Sequence, residues 1–221
     1  QADASANLFT GAASITVPIL VPPGRKNVTP ELALRYSSQA GLSFVGFGWS
    51  LPLGVLSRSL EQGTPSCLGP DPERFRLLLS ASANDLVRAD DDRFLLELDE
   101  GHAEAIPDRA ANVWTVRTRD GLTYTFGGSD AARVHQGADR FHDEAACAFT
   151  TAWHVTRLED PNGNLLEIEW EKAGNTPVPS TILYGGNEPA GIPHPFRIRF
   201  ESEDLEALGR PILRSLASGV D

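Results

Sequence analysis

Oxygen-bearing side chains at the spacing of a calcium-binding loop are the first candidates for chemistry in this sequence. They occupy positions 1, 3, 5 and 12 of the calcium-loop template: Asp160, Asn162, Asn164 and Glu171. The glycine that the template needs at position 6 is Leu165, and the flanking residues alternate as in strands. Because the segment 160–164, Asp-Pro-Asn-Gly-Asn, is itself a strong turn sequence, we expect a turn here and no metal site.

Nitrogen and sulfur side chains of the kind that bind zinc lie between positions 135 and 154: His135, His142, Cys147 and His154. They are separated by six, four and six residues, whereas zinc sites use closely paired ligands. The spacing therefore predicts no zinc site.

Two carboxylates, Glu167 and Glu169, are two residues apart, which places both on one face of a strand. Such a pair could carry general acid–base chemistry. Leu166, Ile168 and Trp170 alternate with the glutamates, so a half-buried strand with a solvated acidic face explains the same pattern. We expect no catalytic residue, although a pocket that joins both glutamates to a histidine would favour an enzyme.

Templates for nucleophilic catalysis and for phosphate binding do not occur in the sequence. There is no G-x-S-x-G motif, and the nearest serine on a glycine turn is Ser50. The Gly46-Phe47-Gly48 segment is followed by no lysine and no helix start, unlike a phosphate-binding loop. No cofactor is expected.

The charge of the chain excludes several classes of partner. Among 221 residues, 30 are acidic and 19 are basic, for a net charge of −11. This charge opposes binding to a nucleic-acid backbone or to an anionic membrane surface. No segment approaches the roughly 20 apolar residues of a membrane-spanning helix. We expect no nucleic-acid partner and no membrane insertion by this segment.

The cysteine content and the first residues bear on the cellular context. Cys67 and Cys147 are too few for a disulfide framework, and whether they pair stays open. The sequence contains no methionine, and residues 1–7 lack the pattern of a signal peptide. We interpret the chain as a fragment of a longer one.

Alternating apolar residues between turn sequences predict an all-β fold. Predicted strands cover residues 12–21, 32–36, 75–79, 93–98, 113–118, 122–126, 153–158, 165–170, 180–184, 196–201 and 212–216. Asp120-Gly121 and the 160–164 turn each mark a hairpin, and the runs 75–79 and 93–98 are expected to pair. No strand–helix–strand alternation is present. The prediction is antiparallel sheets built from consecutive hairpins, sandwich-like or a shell-wall segment, with at most one short helix.

Two regions depart from this alternation. Between residues 41 and 58, glycines alternate with large apolar groups, which predicts a corner anchored by Phe44, Phe47 and Trp49. Residues 127–148 are rich in alanine and polar, and we predict a loop or a short helix there, with Asp130 as an N-cap and a helical turn at 143–149.

The ordered motifs resemble the N-terminal domain of the SpvB family, which includes the Salmonella virulence plasmid B protein and the B components of insecticidal toxin complexes. The first motifs lie at residues 10–13, 15–19, 22–25, 34–38 and 46–52, and later ones at 124–127, 153, 157, 160–164 and 182–187. The resemblance covers roughly residues 10–201. Its signature residues are Gly46, Gly48, Trp49, Tyr124, Phe126, Trp153, Asp160, Asn162, Gly163 and Asn164.

The resemblance implies a non-catalytic structural module of a secreted bacterial toxin or virulence protein. In the toxin complexes, the B component joins an RHS-repeat partner in a hollow β-sheet shell around a toxic domain. The implied partners are the remainder of the same chain and an RHS-repeat protein, with the translocation channel only indirectly involved. The implied location is extracellular, with a cytoplasmic stage before release.

A single SpvB-like β domain over residues 1–221 is expected. Within it we distinguish an N-terminal extension (1–9), the glycine and aromatic signature region (10–66), hairpins with a variable loop (67–148) and C-terminal hairpins (149–221). The alternative is a β-sandwich binding module that recognises carbohydrate or protein, since long loops on antiparallel sheets commonly carry such sites.

Overall fold

The computed structural model describes residues 3–6, 11–59, 73–79, 82–90, 92–97, 103–136 and 149–201. The strands in these ranges are Asp3–Ala6 (β1), Ala13–Ile19 (β2), Leu32–Ser37 (β3), Leu42–Ser43 (β4), Gly46–Phe47 (β5), Trp49–Ser50 (β6), Val55–Arg58 (β7), Phe75–Leu79 (β8), Ser82–Asp90 (β9), Arg93–Leu96 (β10), Glu104–Asp108 (β11), Val113–Arg117 (β12), Thr123–Phe126 (β13), Arg133–Gln136 (β14), Phe149–Glu159 (β15), Asn164–Ala173 (β16), Thr176–Asn187 (β17) and Phe196–Arg199 (β18).

The fold of the described residues is all-β and antiparallel, which confirms the predicted class. Helical structure in these ranges is limited to single 3₁₀ turns at Arg25–Asn27 and Asp130–Ala132. The described part of the chain contains no helix with the length and apolarity that a membrane span requires.

The N-terminal sheet has the strand order β1-β2-β3-β6, and β4 and β5 form a separate short hairpin. Within the described residues, β1 pairs with residues 13–16 of β2, and Pro18 lies beyond that pairing, opposite Ala33 of β3. This placement suits a residue that lacks a backbone N–H.

The large sheet closes into an eight-stranded barrel. Strands β7 to β13 follow one another as a meander, and β15 pairs with both end strands of that meander. Residues 152–154 of β15 pair with β7, and residues 155–159 pair with β13. One long strand therefore closes the barrel by using its two halves for different neighbours.

A second group of strands extends from the barrel. β16 pairs with the end of β15, and β17 and β18 follow in order. The segment between β2 and β3 contacts this extension: the Tyr184 hydroxyl donates to the Pro22 carbonyl at 3.0 Å, and Arg25 Nε donates to the Gly185 carbonyl at 3.0 Å. Val28, Leu32 and Leu51 of the N-terminal region join the barrel side chains in one hydrophobic core.

The structure differs from the predicted elements at several points. The runs 75–79 and 93–98 do not pair directly, because β9 lies between β8 and β10. Residues 104–108 form β11, which was not predicted. The predicted loop or short helix at 127–148 contains strand β14, whose residues pair with β15.

Further predictions concern residues 130 and 143–149, the two cysteines and the strand 212–216. The N-cap of the 3₁₀ turn at 130–132 is Ser129 instead of Asp130. Phe149, at the end of the predicted helical turn, begins β15. Residues 143–148 and the predicted strand 212–216 lie outside the described residues, as do Cys67 and Cys147.

Candidate functional site

The glycine and aromatic segment of the N-terminal sheet forms a corner, but with different anchors from those predicted. Phe44 is 38% exposed and Phe47 is 66% exposed, so the prediction that these rings anchor the corner is wrong. Trp49 packs against Tyr36, with ring centroids 5.3 Å apart. Gly46 pairs with Ser43 in the short hairpin, where its φ of +121° favours glycine.

Gly48 is the residue that allows the Tyr36 ring to lie against the backbone. Its φ is +77°, and a Cβ added there would lie 2.6 Å from Cε2 of Tyr36. Trp49 and Ser50 then pair with β3, and the Ser50 hydroxyl donates to the Arg35 carbonyl at 3.4 Å. The Ser50 hydroxyl therefore supports the pairing of β6 with β3.

A cluster of aromatic side chains fills one end of the barrel: Phe75, Phe94, Trp114 and Trp153. The Trp153 ring centroid lies 5.9 Å from that of Trp114 and 6.1 Å from that of Phe75. Trp153 Nε1 donates to Asn112 Oδ1 at 2.9 Å, and Asn112 Nδ2 donates to Thr150 Oγ1 at 2.8 Å. The signature residue Phe126 is fully buried in the same core.

Tyr124, another signature residue, lies beside Phe126, with ring centroids 6.4 Å apart. Burial raises the pKa of the Tyr124 hydroxyl to about 12, with smaller contributions from the charges of Asp120 and Glu31. The phenol is therefore neutral at physiological pH and cannot act as a base there.

Substitution of Gly127 tests the packing of the aromatic cluster, because this glycine lies against Trp153. Its φ is +74°, and a Cβ added there would lie 2.5 Å from Cδ1 of Trp153. Gly127→Ala is therefore expected to lower the free energy of unfolding by about 2–4 kcal/mol, from backbone strain and steric overlap together. Gly174 is the matched control, since its φ is +64° and no atom lies within 4 Å of the added Cβ. Gly174→Ala should cost about 1–2 kcal/mol in urea denaturation, and equal losses in the two variants would contradict the packing of Gly127.

The turn between β15 and β16 is built around the carboxylate of Asp160. Asp160 Oδ1 accepts the backbone N–H groups of Asn162 and Asn164, both at 2.8 Å. Asp160 Oδ2 accepts the side-chain amides of the same residues, at 3.3 Å from Asn162 and 2.8 Å from Asn164. Gly163 donates its N–H to the Asp160 carbonyl at 3.0 Å, which closes the turn.

This turn is linked to the end of β17 through Asn187. The side-chain amide of Asn187 donates to the Asn162 carbonyl at 2.9 Å and to Asn164 Oδ1 at 3.0 Å. Burial raises the pKa of Asp160, but the hydrogen bonds from Asn164 and Asn162 outweigh burial and hold that pKa below its ordinary value. The carboxylate is therefore ionised and fully engaged by the turn.

The structure separates the other candidate metal ligands. Glu171 lies on β16 opposite Val178, and both Asp160 oxygens accept hydrogen bonds from the turn itself. His135 contacts Asp130 and Thr150, whereas His154 packs against Trp170. His142 and Cys147 lie outside the described residues. Within the described ranges, no three His, Cys, Asp or Glu side chains converge as metal ligands.

His154 is neutral in the folded protein. Its ring centroid lies 4.6 Å from that of Trp170, and burial lowers its pKa from 6.5 to about 4. A histidine with a lowered folded-state pKa binds its proton more weakly in the folded state than in the unfolded state. The contribution of His154 to the free energy of unfolding is therefore complete above pH 6.5 and is lost as the pH falls towards 4.

Acid is therefore expected to destabilise the fold through His154, by about 2 kcal/mol between pH 7 and pH 5. His154→Phe should remove this loss, as measured by urea denaturation at several pH values. The control His135→Gln alters a histidine that contacts Asp130, and this variant should keep the loss of stability in acid. An unchanged pH dependence in His154→Phe would contradict the assignment.

An enzyme site at the glutamate pair of β16 would need both carboxylates beside one histidine, and the structure places Glu167 beside His194. Glu167 Oε2 lies 3.1 Å from His194 Nε2, and Glu167 Oε1 lies 3.6 Å from Arg157 Nη1. Arg157 also pairs with Glu159 at 3.1 Å and with Glu188. Glu169 is exposed and sits opposite Thr181 on β17. Among the described residues, no histidine contacts both glutamates.

His194 is a partner that sequence reasoning missed. Its Nδ1 accepts the N–H of Gly186 at 3.3 Å, which leaves Nε2 to donate to Glu167. Leu166, Ile168 and Trp170 are buried opposite the glutamates. This arrangement is the half-buried strand predicted from the alternation, with ion pairs on its outer face.

Comparison with known proteins shows where this fold occurs. The family described as Salmonella virulence plasmid 65kDa B protein matches residues 7–105, just under half of the chain. A sequence comparison with curated proteins gives no match.

Three examples represent the solved structures that are similar in fold. The crystal structure of TcdB2-TccC3 is 18% identical with a TM-score of 0.62, over 84% of this chain and 10% of that one. The Tc holotoxin pore of Photorhabdus luminescens, with TccC3-D651A, is 19% identical with a TM-score of 0.61, over 80% of this chain and 9% of that one.

The third is the N-terminal domain of effector protein SpvB from Salmonella typhimurium strain LT2, which is 19% identical with a TM-score of 0.57. It covers 77% of this chain and 63% of that one. The chain thus spans about a tenth of the length of the toxin-complex chains and about two thirds of the SpvB domain. Family match and fold together confirm the resemblance inferred from the motifs: residues 7–105 match the SpvB family, and the fold is shared with parts of toxin-complex proteins.

Proposed function

We propose that the chain is a non-catalytic structural module of a secreted bacterial toxin or virulence protein. In this proposal it forms part of a β-sheet wall that encloses or presents a toxic domain. Its partners are the rest of the protein that carries it and an RHS-repeat protein, and its place of action is outside the producing cell. The fold similarity to TcdB2-TccC3 supports this choice among all-β modules.

The observation that carries the proposal is the open outer edge of β18. β18 pairs with β17 on one side, and within the described residues no strand pairs with its other side. Phe200 N donates to the Ser180 carbonyl, so alternate residues of the strand face β17. The backbone groups of Arg197 and Arg199 consequently point to the open edge, where a further strand can continue the sheet.

The side chains of β18 fit a wall strand. Phe196, Ile198 and Phe200 pack against the core, whereas Arg197 and Arg199 are exposed. The polar clusters described above hold turns and strands in place: Asp160 orders its turn, and Glu167 pairs with His194 and Arg157. These roles support the proposal of a structural module, because the polar residues stabilise the turns and strands of the fold.

The open edge predicts self-association of the isolated chain at high concentration, because unpaired edge strands pair with one another. Arg199→Pro removes an outward N–H and should reduce this association, measured by light scattering across a concentration series. Arg199→Ala keeps the N–H and is the control that should still associate. A wild-type chain that stays monomeric at all concentrations would contradict association through the β18 edge. Equal association of both variants would contradict it as well.

A chimera tests the shell role itself. The aligned segment of TcdB2 is replaced by this chain, and the product is purified together with TccC3. We expect a closed particle in electron microscopy, and the Arg199→Pro chimera should yield fewer such particles. A chimera that unfolds cooperatively on heating but leaves TccC3 unbound would refute the proposed role.

A further inference from the structure

The two ends of the barrel are filled differently. The large rings of Phe75, Phe94, Trp114 and Trp153 occupy one end, near the starts of β8, β10 and β12. At the other end, the inward positions carry smaller side chains: Leu77, Leu79, Ser82, Asn84, Leu96 and Ala103. An eight-stranded barrel is just wide enough to be filled by side chains or to hold one small ligand.

This second end contains a cavity of about 570 Å³. Its walls follow from the two-residue period of the strands: Phe75, Leu77 and Leu79 point inward from β8, and Leu77 and Leu79 pair with Asn84 and Ser82 of β9. The volume lies within the range of about 300–1,000 Å³ that is usual for small-molecule sites. The wall is mainly aliphatic.

The rim of the cavity is polar and carries a cation. Thr118, Arg119 and Asp120 line it from the turn that follows β12. The Thr118 hydroxyl donates to Asp120 Oδ1. Arg119 is exposed, and the structure gives its guanidinium no hydrogen-bond or ion-pair partner within the described residues. The rim therefore offers a free donor group above an aliphatic wall.

We propose that this end of the barrel binds a linear alkyl carboxylate, with the alkyl chain in the cavity and the carboxylate on Arg119. Burial of the chain against Leu77, Leu79 and Leu96 supplies the hydrophobic part of the affinity. A guanidinium is suited to a carboxylate because it donates two parallel hydrogen bonds. The Asp120 carboxylate repels the same head group, so it lowers the affinity without changing the site. This site is independent of the proposed wall role.

The experiment is calorimetric titration of the whole chain with decanoate and with decanol as an uncharged probe. We expect saturable one-to-one binding of decanoate, about tenfold tighter than that of decanol. Arg119→Gln should reduce decanoate affinity to that of decanol, and Arg119→Lys should restore part of it. Asp120→Asn should strengthen decanoate binding. The control Arg197→Gln removes an exposed charge on β18, away from the cavity, and should have no effect.

Ser82→Trp tests the position of the alkyl chain. Ser82 is exposed at the rim, so the indole should block the entrance without disturbing the core, which thermal unfolding checks. Loss of decanoate and decanol binding in this folded variant supports the proposal. Absence of saturable decanoate binding to the wild-type chain would overturn it, as would binding that neither Arg119→Gln nor Ser82→Trp alters.

Discussion

Asp160→Ala is expected to lower the free energy of unfolding by about 3–5 kcal/mol. The buried carboxylate accepts four hydrogen bonds within the β15–β16 turn, two from backbone N–H groups and two from side-chain amides. Hydrogen bonds to a charged group contribute about 1.5–3 kcal/mol each, and a buried donor left unsatisfied adds a further cost. Chemical denaturation at neutral pH measures the loss.

The pH dependence of this loss provides a second test. Since the folded-state pKa of Asp160 is lowered, its contribution is present above the ordinary value and is lost as the pH falls through the folded-state value. The stability difference between wild type and Asp160→Ala should therefore shrink in strong acid. Asp160→Asn keeps one acceptor oxygen and should lose about half as much as Asp160→Ala.

Asp120→Ala is the matched control in the other predicted hairpin turn. Asp120 is exposed and accepts the hydroxyl of Thr118, so its removal should cost less than about 1 kcal/mol. If the two alanine variants lost the same stability, the Asp160 network could not be what orders its turn.

Trp153→Ala is expected to cost about 3–5 kcal/mol, the usual effect of truncating a buried aromatic side chain. Trp153 is 3% exposed, and its ring contacts Trp114 and Phe75 in the aromatic cluster at one end of the barrel. The change also leaves Asn112 Oδ1 without its indole donor. Thermal or urea unfolding, followed by circular dichroism, gives the loss.

Trp153→Phe separates packing from hydrogen bonding, since it retains a ring but not the indole N–H. We expect it to cost about 1–2 kcal/mol. Trp49→Ala provides the comparison with a partly buried tryptophan, whose main aromatic contact is Tyr36. Trp49→Ala should lose less free energy of unfolding than Trp153→Ala, about 1–2 kcal/mol, because Trp49 buries less apolar surface. A larger loss in Trp49→Ala than in Trp153→Ala would place the stability of the fold in the N-terminal sheet.

The barrel cavity and the β18 edge are separate features with separate tests. The cavity lies where β8 ends and β9 begins, whereas the edge belongs to the strands that extend beyond β15. Ser82→Trp should leave self-association unchanged, and Arg199→Pro should leave decanoate binding unchanged. The two proposals can therefore fail independently.

Local sequence patterns predicted much of the secondary structure because strands and tight turns depend on neighbouring residues. The alternation in residues 113–118 and 122–126, with Asp120-Gly121 between them, matches β12 and β13. Leu166, Ile168 and Trp170 are buried as predicted, with the glutamates on the other face. β9 was missed because it contains the turn-type residues Asn84 and Asp85 and its two large apolar residues, Leu86 and Val87, are adjacent. β11 was missed because it contains Pro107.

Contacts between distant residues were outside the reach of these patterns. Phe44 and Phe47 are aromatic but exposed, and only the position of β4 and β5 beside the N-terminal sheet decides this. The pairing of His194 with Glu167 depends on the register of β17 and β18 and on the loop that joins them. Asn112 likewise reaches Trp153 from a different hairpin.

The sequence by itself determined an antiparallel all-β fold, its principal hairpins and the family resemblance, because alternation and turn residues act over a few positions. Only the tertiary structure decided that β15 closes a barrel, since that closure pairs it with β7 and β13 through hydrogen bonds between distant segments. The same closure determines which residues face inward. Large rings therefore meet at one end of the barrel, and a cavity is left at the other.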